Sequence, residues 1–123
     1  VSPAATAATT CYNSRFEADM TIPDGTVLKP YEKFVKIWRV ANTGTCAWDE
    51  GFGITIWAGP AMDGVPAYYS PRDQIVQPGG VVDLVVEMRA PVEPGEYIAH
   101  WVMINDQQKT FGSDLVVYIK VVK

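Results

Sequence analysis

Residues 34–57 read FVKIWRVANTGTCAWDEGFGITIW. Trp38 and Trp48 stand on either side of Asn42-Thr43-Gly44, a run of turn-forming residues. Trp57 closes the alternating apolar run that opens at Gly53. The chain's fourth and last tryptophan, Trp101, lies in PGEYIAHW at residues 94–101. Indoles are bulky and amphipathic, so four of them in 123 residues point to a core or a contact surface built around them.

On both sides of this stretch the pattern is that of strands. Phe16, Ala18, Met20 and Ile22 alternate with Glu17, Asp19 and Thr21, which predicts a half-buried strand over 16–22. Pro23-Asp24-Gly25, Pro78-Gly79-Gly80 and Pro94-Gly95 are turns. Further strands are predicted over 33–41, 53–58, 73–76, 81–89, 96–104 and 114–122, with Val82, Leu84, Val86 and Met88 sharing one face. No segment carries a helical period. Seven or more short strands with turn signals at this spacing predict an all-β sandwich. Residues 1–10, VSPAATAATT, hold no charge and almost no bulk. Such a segment buries too little apolar area to offset its ordering entropy. We expect a flexible linker over 1–10 and one domain over 11–123, with a signal or lipid anchor upstream of the linker.

The bulk numbers narrow the function. A hydrophobic share of 48% is enough for one packed core in a chain of this length. A net charge of −4 and a pI near 4.8 leave no basic stripe for phosphates, so nucleic acid is not an expected partner. Lys29, Lys33, Lys36 and Arg39 are the nearest thing to a basic cluster, and mixed charge of this kind reads as a solvated edge. No apolar run approaches the ~20 residues of a membrane helix, so no membrane insertion is expected. His100 is the only histidine and sits mid-strand. Asp49-Glu50 and Glu93 with Glu96 read as solvated turn acids, and Ser14, Ser70 and Ser113 have no base beside them in sequence. We therefore expect no catalytic residues, no metal and no cofactor. Cys11 and Cys46 are the only cysteines, with no metal-ligand spacing around them. On the residues alone they are either a disulfide or two free thiols.

The four tryptophans, the Asn42-Thr43-Gly44 turn, Ala90-Pro91 with Pro94-Gly95-x-Tyr97, and the Phe111-Gly112 pair occur in one order. In that order they resemble the four-tryptophan (FW) domain, the Ig-like domain of selective-autophagy cargo receptors and of many bacterial surface proteins. The resemblance runs from Phe16 to Val122. It implies an antiparallel Ig-like β-sandwich of seven to nine strands and a non-catalytic module that captures a protein or peptide. The cysteine placement resembles the bacterial secreted members most closely. That implies a Cys11–Cys46 disulfide and an extracellular or cell-surface location.

Trp38, Trp48 and Trp101 are assigned to the core. Trp101 shares its register with Tyr97, Ala99 and Met103. Trp48 caps one end beside Cys46. For Trp38 alternation settles nothing, because Lys36 lies on one face and Arg39 on the other; a bulge in this strand would resolve it. Trp57 falls outward if Ile54 and Ile56 fill the core, on a face shared with Ile98, His100, Val102, Val116 and Tyr118. The Gly- and Pro-rich excursion over 59–71 is longer than a turn requires. We expect the binding site to be Trp57, Met62, Tyr68 and Tyr69, large side chains of the kind that dominate contact hot spots. The opposing reading is that these side chains pack the loop onto the sheet. A glycan stacked on Trp57, Tyr68 and Tyr69 is the alternative ligand, and a spacer or assembly domain the alternative role.

Overall fold

The structure, a computed structural model, describes residues 11–48, 52–64, 67–68, 75–105, 107 and 109–123. The expected linker over 1–10 lies outside the described residues. Eight strands are present among them: β1 (Ser14–Asp19), β2 (Thr26–Leu28), β3 (Lys33–Asn42), β4 (Gly53–Ala58), β5 (Ala67–Tyr68), β6 (Val81–Arg89), β7 (Gly95–Ile104) and β8 (Thr110–Val121). They form a three-stranded sheet, β1-β3-β6, and a five-stranded sheet, β2-β8-β7-β4-β5. The all-β sandwich read from the turn spacing, Ig-like as the family resemblance implies, is the fold observed. One pairing departs from the antiparallel expectation: β2 runs parallel to β8. The Pro23-Asp24-Gly25 turn carries the chain across to the other sheet, where the Gly25 N–H donates to the Tyr118 carbonyl at 2.9 Å. Of the strand expected over 73–76, Ile75 and Val76 are described, and Val76 forms a single antiparallel bridge with Trp48.

The core lies between the sheets. Trp38, Trp48 and Trp101 have no exposed surface. Trp38 and Trp101 meet across the sheets with ring centres 6.2 Å apart, and the Trp38 indole N–H donates to the Val116 carbonyl at 2.9 Å. β6 alternates without interruption and buries Val82, Leu84, Val86 and Met88. At one end Tyr12, Phe52 and Phe111 pack ring against ring, and Trp48 packs on Phe111. Cys11 and Cys46 are bonded beside this cluster, their Cα atoms 5.2 Å apart.

The sequence motifs have structural causes. Asn42 is buried. Its side chain accepts from the Gly44 N–H and donates to the Cys46 and Val76 carbonyls, so the Asn42-Thr43-Gly44 turn is closed by the side chain of its first residue. A Cβ on Gly44 would stand 2.1 Å from the Cys11 carbonyl oxygen. The Tyr97 hydroxyl donates to the Glu93 carbonyl at 2.6 Å, the tyrosine corner of Ig-like sandwiches. Gly112 has φ +85°, and a Cβ there would lie 1.9 Å from Ser14 Oγ. This close approach lets Ser14 and Ser113 stitch β1 to β8 through two hydrogen bonds.

Two register expectations are corrected. The inward face of β3 is Phe34, Lys36, Trp38 and Val40, so the cation on that face is buried and Lys36 belongs to no solvated edge. Its ammonium donates to Asp19 Oδ1 at 2.6 Å, the Thr21 carbonyl at 3.0 Å and the Ile22 carbonyl at 2.8 Å, the partners a buried charge requires. β3 pairs with β6 without a register shift. The bulge sits in β1 instead, between Phe16 and Ala18; past it Met20, expected inside, is turned outward and 42% exposed, while Phe16, opposite Val40, is 38% exposed at the edge of the sheet.

Candidate functional site

The outer face of the five-stranded sheet carries a group of interacting side chains around Trp57. Ile54 is buried and Ile56 packs against the core, so strict alternation sends Trp57 outward. A register shift reinforces this: Ile56 pairs with Trp101 and Ala58 with His100, which makes Trp57 the extra residue of a β-bulge. Bulges twist a strand locally and re-aim the bulged side chain. Trp57 remains 57% exposed, the largest exposed side chain of that sheet face.

Its indole is not free to swing. The ring nitrogen donates to Asp114 Oδ1 at 3.1 Å. The other carboxylate oxygen, Oδ2, bonds His100 Nδ1 at 2.8 Å. The Trp57 and His100 rings lie 5.1 Å apart at 45°. Three strands thus contribute one residue each, with the Asp114 carboxylate holding both rings. β7 and β8 are also irregular at this point, the register shifting between Trp101 and Met103. A groove of about 270 Å³ lies beside Trp57, lined by Val102, Thr110, Gly112 and Asp114. A smaller hollow of about 140 Å³ shares Asp114 and is lined by Phe16, Asp19, Asp24 and Val116.

The expected site is brought together only in part. Trp57 stands where alternation places it. Met62 does not join it: it is buried to 8% exposure within the core cluster, so its surface role is withdrawn. The reason lies in the first part of the excursion. Gly59, with φ +86°, packs so closely on β7 that a Cβ would meet the Ile98 carbonyl at 2.3 Å. The chain then crosses to the other sheet, where the Met62 carbonyl accepts from the Arg89 N–H at 2.8 Å. Gly64 lies against the Trp101 ring. Residues 59–64 therefore close the gap between the sheets, and Met62 fills it. The Tyr68 backbone pairs with Gly53 in β5; its side chain, like all of Tyr69, lies outside the described residues, as do Asp49 and Glu50. Val102, expected on the outer face, is 8% exposed. Asp114 and Thr110 were not anticipated. The one available signal for Asp114 was its place in the same strand pattern as Val116 and Tyr118, and the irregularity of β8 hides that register.

Chemically the group offers an exposed indole, an imidazole and a carboxylate held together. The His100–Asp114 bond lies on an open sheet face, the two side chains 32% and 43% exposed, without the enclosing cleft that a general base uses. Among the described residues no three His, Cys, Asp or Glu side chains gather as a metal site.

Comparison with known proteins agrees with this fold. The profile of the Ig-like domain from next to BRCA1 gene matches residues 21–121. Protein JOKA2 of Solanum tuberosum is 34% identical over 113 residues, covering 89% of this chain and 13% of its own length. Protein ILRUN of Danio rerio is 30% identical over 106 residues, covering 86% of the chain and 36% of its own. The human next to BRCA1 gene 1 protein is 34% identical over 98 residues, covering 76% of the chain and 10% of its own. The chain thus spans a small part of these relatives. In fold, it is similar to the solution structure of a CARDB domain from Pyrococcus furiosus, with TM-score 0.53 at 12% identity over 91% of this chain and 94% of that one.

Proposed function

The chain belongs to the family of the Ig-like domain from next to BRCA1 gene, and on that premise we propose that it is a non-catalytic module that captures a protein or peptide on the outer face of its five-stranded sheet. The observation that carries this reading is the exposed Trp57, aimed by a bulge and fixed by Asp114. An immobilised aromatic ring costs little further entropy on binding, and tryptophan is enriched at contact hot spots. The adjacent groove is lined by Val102 and Thr110. The acidic hollow beside it, with Asp19, Asp24 and Asp114, suits a peptide bearing positive charge.

A selection from a displayed peptide library tests the proposal. Peptides selected on the domain should bind the Trp57→Ala variant at least tenfold more weakly, a loss above about 1.4 kcal/mol, while its melting temperature holds. Equal binding by that variant would remove the site. A Trp57-dependent signal on a glycan array, without peptide binding, would favour the carbohydrate reading. Neither signal would leave the spacer role. We also place the domain in an oxidising, extracellular or cell-surface setting. The Cys11–Cys46 bond supports this, and the reading extends to a likeness with secreted bacterial members. Trapping of thiols in cells producing the full-length protein tests it: two alkylated cysteines would overturn it.

A further inference from the structure

We propose that the open edge of β6 is a second docking site, which takes an extended segment carrying basic, apolar and basic side chains at alternate positions. This site lies on the other sheet and is independent of Trp57.

Among the described residues β6 is the outer strand of β1-β3-β6, so one row of its backbone groups faces away from β3. The hydrogen bonds identify that row. The Asn42 N–H donates to the Gly80 carbonyl, while the Ile37 carbonyl accepts from Met20 on the β1 side. Pairing from Lys33 with Arg89 to Ala41 with Val81 is unbroken. Backbone direction alternates along an antiparallel pair, so Val82, Leu84, Val86 and Met88 bond to β3, and Asp83, Val85 and Glu87 point to the open edge. The Arg89 N–H confirms this direction: it leaves the sheet to meet the Met62 carbonyl at 2.8 Å. That contact ends the edge on one side. At the other end lies a groove of about 490 Å³ lined by Arg39, Ile75, Gln77, Val81 and Asp83.

Such an edge is a template for strand addition. Its outward side chains select what is added. Asp83, Val85 and Glu87 are exposed. Asp83 has a cation on its β3 side, Arg39 at 2.8 Å. Glu87 stands opposite Val35 and forms no ion pair among the described residues. An added strand therefore meets acid, valine, acid, and opposite charge across a strand pair is favourable. The complement is Lys or Arg, an apolar residue, then Lys or Arg, each two positions apart. A second copy paired about Val85 would set Asp83 against Glu87, like charge on like charge. The partner is accordingly a different segment, drawn also by the net charge of −4.

The probe is a capped, fluorescein-labelled peptide with a Lys-Thr-Val-Thr-Lys core, and the readout is fluorescence anisotropy on the whole chain. It should bind, and more weakly as salt rises. Glu87→Lys should weaken it about tenfold or more, the loss of a favourable cross-strand charge pair and the gain of an unfavourable one. Val85→Pro should abolish binding without loss of a β3 hydrogen bond, since that N–H faces the edge. A probe N-methylated at its central valine should fail to bind, whereas Trp57→Ala should bind the probe like the wild type. Equal affinity for the methylated probe would show charge attraction without strand pairing and overturn the proposal. So would unchanged binding by Glu87→Lys, or sedimentation showing a dimer that Glu87→Lys disperses, which would make a second copy the occupant.

Discussion

Lys36 shows how one residue can mislead a reading by pattern and yet hold the fold. A lysine on a strand face argues for solvent, because an unpaired buried ammonium is costly. In this fold the cost is met by Asp19 and by two carbonyls of the turn after β1. One of those carbonyls belongs to Ile22, a β-branched residue at φ +50°, a backbone conformation such residues rarely adopt. The ammonium thus fixes the strained turn that starts the chain toward the second sheet. Removal of the donor leaves three acceptors short of a partner. Lys36→Met should cost about 2–4 kcal/mol in urea unfolding, within the range for breaking a buried, hydrogen-bonded charge. Its pH dependence has a definite sign. Burial holds the Lys36 pKa below its ordinary value of 10.5, with Asp19 partly opposing. The unfolded chain then binds more protons between the lowered value and 10.5, so this group's contribution to stability rises with pH across that window. The wild type should gain on Lys36→Met as pH climbs through it; a constant difference would refute the assignment.

At the scale of elements, what was legible followed uninterrupted alternation. β6 reads apolar at every second position, and the structure buries that face. β4 and β7 likewise match their expected spans closely. Two misreadings fall where alternation breaks, at the β1 bulge and at the β7–β8 irregularity. A one-residue shift reverses every later side chain, and nothing local in the sequence marks it. Trp57 was placed correctly because its two isoleucine neighbours anchor the register before the bulge. Asp114 was missed because its position depends on the β7–β8 shift. β2 was missed because three residues between two turns carry no period. Gly112 exposes the mechanics of one such junction. Gly112→Ala must both occupy φ +85° and push Ser14 from β8. Gly79→Ala, at φ +88° with nothing within 4 Å, bears the conformational penalty alone, about 1–2 kcal/mol. Gly112→Ala should lose at least about 2 kcal/mol more, since overpacking against backbone adds its own strain. Equal losses in urea melts would mean that β1 yields freely.

At the scale of the molecule, the sandwich is fastened both at an end and along a side. Along the side, residues 59–64 span the sheets through Met62 and Arg89; composition identified a long excursion but could not show that its methionine turns inward. At the end, the Cys11–Cys46 bond fastens the entering chain where Tyr12, Trp48, Phe52 and Phe111 pack together. The Thr45 and Cys46 N–H groups also donate to the Cys11 carbonyl, at 2.8 and 3.0 Å, so the backbone is held there independently of sulfur. These two contributions separate on reduction. A bond between residues 35 apart restricts the unfolded chain by about 4 kcal/mol on the chain-entropy estimate. The native contacts need not change. Cys11→Ser with Cys46→Ser should therefore lower unfolding free energy by about 3–4 kcal/mol and leave near-ultraviolet circular dichroism, which reports the packed rings, close to that of the wild type. A faster unfolding rate with unaltered refolding would place Tyr12 docking after the folding transition state. If the variant instead loses its near-ultraviolet signal in the absence of denaturant, the bond organises the aromatic cluster itself, and the entropic account of its role fails.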